Sequence, residues 1–232
     1  LWDDPSYLSS MEELERLSVN AEHRPAIAEV LDPIYRDAGE WKKLGILLEM
    51  RIEVSDDSRE RAELWMQAAT LRREQLEDVD LAFECMLNAF YETPDDEDIR
   101  RQLIDFGAER SAWTQLVDAL ETVLPRIDDP DLLFNDRMRL AEWSETHLGD
   151  SSRALGHYEG AAEIEDSNGK VLSALERLYA DHERWAPLAE VLRRKGEGLY
   201  DLVEKRQCLH QRCGSGGGEL VVRASGWWGP MW

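Results

Sequence analysis

The chain is poor in the residues that staple or interrupt a fold. Of 232 residues, 15 are glycine, 8 proline and 3 cysteine. Three cysteines cannot make a disulfide framework. Cys85 lies among Leu81, Ala82, Phe83, Met86 and Leu87, and reads as a small apolar residue within a helix. Cys208, His210 and Cys213 fall short of the four ligands a closed zinc site wants, so no metal is expected. No run approaches the roughly 20 apolar residues of a membrane-crossing helix. Basic charge is scarce: 27 Lys and Arg stand against 49 Asp and Glu, a formal charge of −22. That balance disfavours nucleic acid and anionic lipid surfaces as direct partners.

Catalytic signatures are missing too. None of His23, His147, His157, His182 and His210 stands four residues from another. There is no Gly-x-Ser-x-Gly, no Gly-x-Gly-x-x-Gly, and the glycines of 214–218 lack the lysine and helix of a phosphate loop. The acidic pairs Asp56-Asp57, Asp95-Asp96 and Asp128-Asp129 sit where helices should begin. They read as caps rather than acid–base pairs. No catalytic residue, cofactor or EF-hand spacing is expected. The chain opens Leu1-Trp2-Asp3-Asp4 without a leader, which reads as a fragment of a longer array in a cytoplasmic setting.

What is present is an internal repeat. Trp41, Trp113 and Trp185 are spaced by 72 and 72 residues. The same shift aligns Leu31, Leu103 and Leu175, then Leu44, Leu116 and Leu188, then Leu48, Leu120 and Leu192. It also aligns Leu76 with Leu148, Asp78 with Asp150, Ala82 with Ala154 and Ala89 with Ala161. A fixed period of this kind is the mark of stacked repeats. Within each unit, apolar residues recur at helical spacing, as at Val171, Leu172, Leu175, Leu178 and Tyr179. The pattern predicts helices over about 8–19, 25–38, 40–54, 58–75, 79–92, 96–108, 112–124, 131–147, 151–164, 168–181 and 184–197. Pro33 should kink the second of these. A further helix begins near 201 and loses its pattern after about 212. No strand is expected before residue 219. The three aligned tryptophans, with Trp65 and Trp143, are expected to pack between helices.

Half of the 72-residue unit is 36, near the length of a tetratricopeptide hairpin. Ala141, Leu148-Gly149-Asp150, Ala154, Tyr158 and Ala161 match the second part of that motif, its turn, small residues and aromatic. Leu172, Leu175, Tyr179, Leu188 and Leu192 fall on its large apolar positions. Over roughly residues 8–200 the chain resembles a divergent tetratricopeptide array. It departs where Glu176 takes a small residue's place and Asp166 a proline's. The fold class expected is all-α, a right-handed superhelical solenoid of antiparallel helix pairs. Residues 1–200 form the array, 201–213 start a further helix, and 214–232 are a Gly- and Trp-rich tail, disordered or foreign to the fold.

The resemblance implies that the first helix of each hairpin lines a concave face. Arg101, Arg139 and Arg177, spaced by 38 and 38, project from such helices. A row of arginines could clamp a carboxylate-bearing peptide, or could simply pair with neighbouring acids. The leading expectation is a non-catalytic protein-interaction scaffold that binds a protein or peptide. The alternative is the helical accessory region of a larger enzyme or of an assembly or transport complex. An acidic sink for a basic client is a third possibility, disfavoured because the acids are spread over many helix starts.

Overall fold

The computed structural model describes residues 24–197 and Val203. The helix expected over 8–19, the tail 214–232 and the Cys208, His210, Cys213 group lie outside the described residues. So does the 201–213 segment apart from Val203, which is helical and exposed.

All regular structure among the described residues is helical. The elements are α1 (Arg24–Ala38), α2 (Trp41–Val54), α3 (Ser58–Glu74), α4 (Val79–Glu92), α5 (Glu97–Glu109) and α6 (Trp113–Val123). A 3-10 turn over Leu124–Arg126 comes next, then α7 (Pro130–Thr146), α8 (Ser151–Ile164) and α9 (Gly169–Asp181). A further helical stretch covers 185–197. Helix α1 runs unbroken through Pro33.

The helix ends recur in register. Asp57 and Asp129, 72 residues apart, cap α3 and α7 by accepting from backbone N–H groups two or three residues on. Asp78 and Asp150 do the same for α4 and α8. Asp96 and Asn168 cap α5 and α9. Each side chain satisfies donors that the first helical turn leaves unpaired.

The stops keep the same register. Left-handed residues stand at Gly39, Ser111 and Glu183, and again at Glu77 and Gly149. After the first three, the next N–H folds back: Glu40 to the Tyr35 carbonyl, Ala112 to Gly107, and Arg184 to Tyr179, at 2.8–2.9 Å. This six-to-one bond is the Schellman way of ending a helix. A side chain in this conformation costs about 1–2 kcal/mol over glycine. Only Gly39 and Gly149 escape that cost.

The chain divides into two compact units, one up to His157 and one after it. In the first unit, each of α1 to α6 packs on the next helix in the chain, and α4 also packs on α6. The first unit is thus a run of antiparallel helix pairs. Its core is a continuous strip including Leu31, Leu44, Leu64, Phe90, Leu103 and Leu116, all at most 2% exposed. Gly107 permits the tightest approach. A β-carbon there would meet three side-chain atoms of Leu116 at 2.8 Å. In the second unit, Tyr158, Ala161, Leu172, Leu175, Leu178 and Tyr179 are buried.

One expectation is overturned. Trp185 does not pack between helices; it is 64% exposed, and Leu192 is 47% exposed. Trp41 and Trp113 are half-buried, while Leu48 and Leu120 are nearly inaccessible. Trp41 and Trp113 are each covered by a neighbouring helix. Trp41 shares a groove with α3, and the Trp113 ring meets Trp143 of α7 at 5.6 Å between centroids. The segment in the equivalent place after 185–197 lies outside the described residues.

Candidate functional site

Two of the three arginines singled out from the spacing line one groove. It runs between α5 and α7 and encloses about 570 Å³. Arg101 is exposed and pairs with Asp98 one turn earlier. Arg139 lies over the Trp143 ring at 5.7 Å, with its Nη1 3.8 Å from Asp136 Oδ1. Arg177 is exposed on α9. It belongs to the second unit, so the groove contains two members of the expected row.

The floor of this groove holds a pair that the spacing did not reveal. Arg100, beside the exposed Arg101, is 5% exposed, and Asp136 is fully buried. Arg100 Nη2 donates to Asp136 Oδ1, and its Nη1 donates to the Pro94 carbonyl at 2.5 Å. The Phe90 ring lies 5.4 Å from the guanidinium. Burial pushes the Asp136 carboxyl above the ordinary aspartate range, and the guanidiniums of Arg100 and then Arg139 oppose that. The two residues are 36 apart, half of the sequence period. That spacing was the available signal, but charge alone argues for solvent and concealed it.

The groove wall is mixed in sign. Glu97, Asp105 and Glu142 line it together with the arginines. Arg100 is committed to Asp136 and Pro94. Arg101 is in an exposed pair, a type worth only about 0–1 kcal/mol and readily exchanged. Arg139 is held by an aromatic face and a long ionic contact.

A second polar group bridges α6 and α8. Arg153 donates to both oxygens of Glu121 at 2.7 and 2.6 Å and to Asp118 at 2.6 Å. His157 Nε2 is 2.7 Å from Glu121 Oε1. Arg153, then His157, holds the Glu121 carboxyl below the ordinary range. Burial pushes the His157 imidazole down, against the pull of Glu121. This group ties helices together. His147 caps α7, its ring stacked on Trp113 at 3.6 Å and 4°. Cys85 is buried, and burial raises its thiol to about 11, which leaves it unreactive at neutral pH.

No cluster of metal-ligating side chains occurs among the described residues, and no described helix is long and apolar enough to cross a membrane. No family model matches the chain, and no curated protein does either. Solved structures similar to it include two of MamA and one of YrrB. One MamA structure is 18% identical, with 77% of this chain matched to 98% of that one at a TM-score of 0.38. A second is 11% identical, with 80% matched to 96% at 0.40. The YrrB structure, titled as a TPR protein with an unusual peptide-binding site, is 14% identical, with 84% matched to 96% at 0.36. The helix pairs of the described residues, with caps and stops that recur 72 residues apart, make an all-helical repeat fold.

Proposed function

We propose that the chain is a non-catalytic interaction scaffold that holds a peptide segment of a protein partner along the α5–α7 groove. The observation that carries this is the placement of Arg101 and Arg139 on facing helices above a fixed Arg100–Asp136 floor. A partner carboxylate would displace Asp98 from Arg101, exchanging one exposed ion pair for another that is better enclosed. The guanidinium fork suits such a carboxylate, and the Trp143 face keeps Arg139 in place beside it. Glu97, Asp105 and Glu142 along the same walls would select a segment of mixed charge. Arg177, exposed in the second unit, is proposed separately as a carboxylate contact of that unit.

The test is a phage-displayed library of random 12-residue peptides, panned against the full chain. Enriched peptides should contain Asp or Glu. Their affinity should fall at least about ten-fold in the Arg101→Glu, Arg139→Glu double variant, the equivalent of about 1.4 kcal/mol. Peptides that bind the double variant as well as the parent would sink the reading, as would a library that yields none.

A further inference from the structure

A second cavity of about 470 Å³ lies in the first unit, bordered by α1, α2, α3 and α5. We propose that it is an anchor subsite for one uncharged aliphatic or aromatic side chain of the peptide whose carboxylate meets Arg101. The inference rests on the reading of the α5–α7 groove and adds a second specificity element to it.

The floor is apolar. Leu44, Leu48 and Leu71 are buried, and Trp41 and Met66 are half-buried along it. Such a floor gains from covering by carbon and offers nothing to a charge. Met66 is unbranched and adapts to side chains of different shape. The two charges at the rim are of opposite sign and leave it no net charge: Arg36, bidentate on Asp32 at 2.5 and 3.2 Å, and Glu74, paired with Arg73 at 3.3 Å. The remaining rim is neutral: the amides of Gln67, Gln75 and Gln102 and the Thr70 hydroxyl, all exposed. Amides offer a donor and an acceptor together, which is what a peptide backbone beside an anchored side chain requires. With one charge of each sign and otherwise neutral polar groups at the rim above an apolar floor, the cavity favours an uncharged occupant.

Continuity with the first groove comes from α5. Gln102 lines this cavity and Arg101, its neighbour in the chain, lines the other. A single peptide crossing α5 would place its apolar residue on one side and its carboxylate on the other.

The peptides enriched on the full chain provide the probe. Thr70 and Gln102 are exposed rim residues on opposite walls, and Thr70 bonds back to the Met66 carbonyl of its own helix. Thr70→Trp and Gln102→Trp each fill the mouth from outside the core, and circular dichroism confirms that each variant is folded. Enriched peptides should share a Leu, Met, Phe or Trp, and each plug should weaken them about ten-fold or more. Replacing that residue by Ala in the peptide should cause a similar loss in the parent chain and little further loss in the plugged chains. If the plugs leave affinity unchanged while the arginine double variant weakens it, the anchor subsite is overturned and the groove reading stands. Enriched peptides without a shared apolar residue overturn it equally. If neither the plugs nor the arginine changes matter, both readings fall.

Discussion

Arg100 and Arg101 illustrate how much two adjacent residues can differ in role. Arg101 faces solvent with a nearby acid, while Arg100 is enclosed with Asp136, Pro94 and Phe90. Removing one partner of a buried pair strands the other charge. Asp136→Ala should therefore cost about 3–5 kcal/mol in urea unfolding, whereas an Arg100→Met, Asp136→Leu double variant should recover most of that loss. Arg101→Ala should change stability by less than about 1 kcal/mol in the same assay. His157 and Glu121 contribute to the acid side of the stability curve. The folded imidazole is depressed, so the unfolded chain takes up its proton first as pH falls through about 6.5. Glu121 is also depressed, so its contribution is present above pH 4.5 and lost below it. The parent should lose stability between pH 7 and 5 relative to His157→Gln, which retains a donor for Glu121 without titrating in that range. Parallel curves for the two proteins would contradict this.

At the scale of the element, the sequence is explicit about where helices start and less so about how they stop. The Asp and Asn caps were legible because their side chains must supply a specific acceptor. Asp129→Ala should cost about 1 kcal/mol, read as a lower thermal midpoint. The stops were legible only where glycine marks them, at Gly39 and Gly149. Ser111, Glu183 and Glu77 take the same left-handed conformation without any signal in residue type. Neighbouring helices hold them there because the turn between paired helices must close in a few residues. Ser111→Gly should raise stability by about 1 kcal/mol by removing that strain. A drop instead would show that the serine side chain contributes more than the backbone loses. The approach of α6 to Gly107 was likewise invisible in the sequence. The equivalent positions carry Tyr35 and Tyr179, so the pattern gives no hint that Leu116 lies over bare backbone.

At the scale of the whole molecule, repeats are bound to neighbours, and a residue's burial depends on whether its neighbour is in place. Trp113 and Trp185 occupy the same place in the sequence pattern, yet one meets Trp143 and His147 and the other is mostly in solvent. Trp113→Ala should cost about 3 kcal/mol or more and Trp185→Ala less than about 1 kcal/mol, compared by chemical unfolding of the full chain. Equal costs would show that Trp185 is covered in solution. The sequence alone determined the helices, their caps, the period of 72 and the apolar stripe that pairs them. Those arise from local hydrogen bonding and from side-chain spacing, which act within a few turns of chain. Only the tertiary structure decided that Arg100 rather than Arg101 is buried, that Arg101 and Arg139 share a groove, and that glutamines rim the cavity across α5. Each of these depends on which helix lies opposite, and opposition between residues some 36 apart is set by packing rather than by either residue's own chemistry.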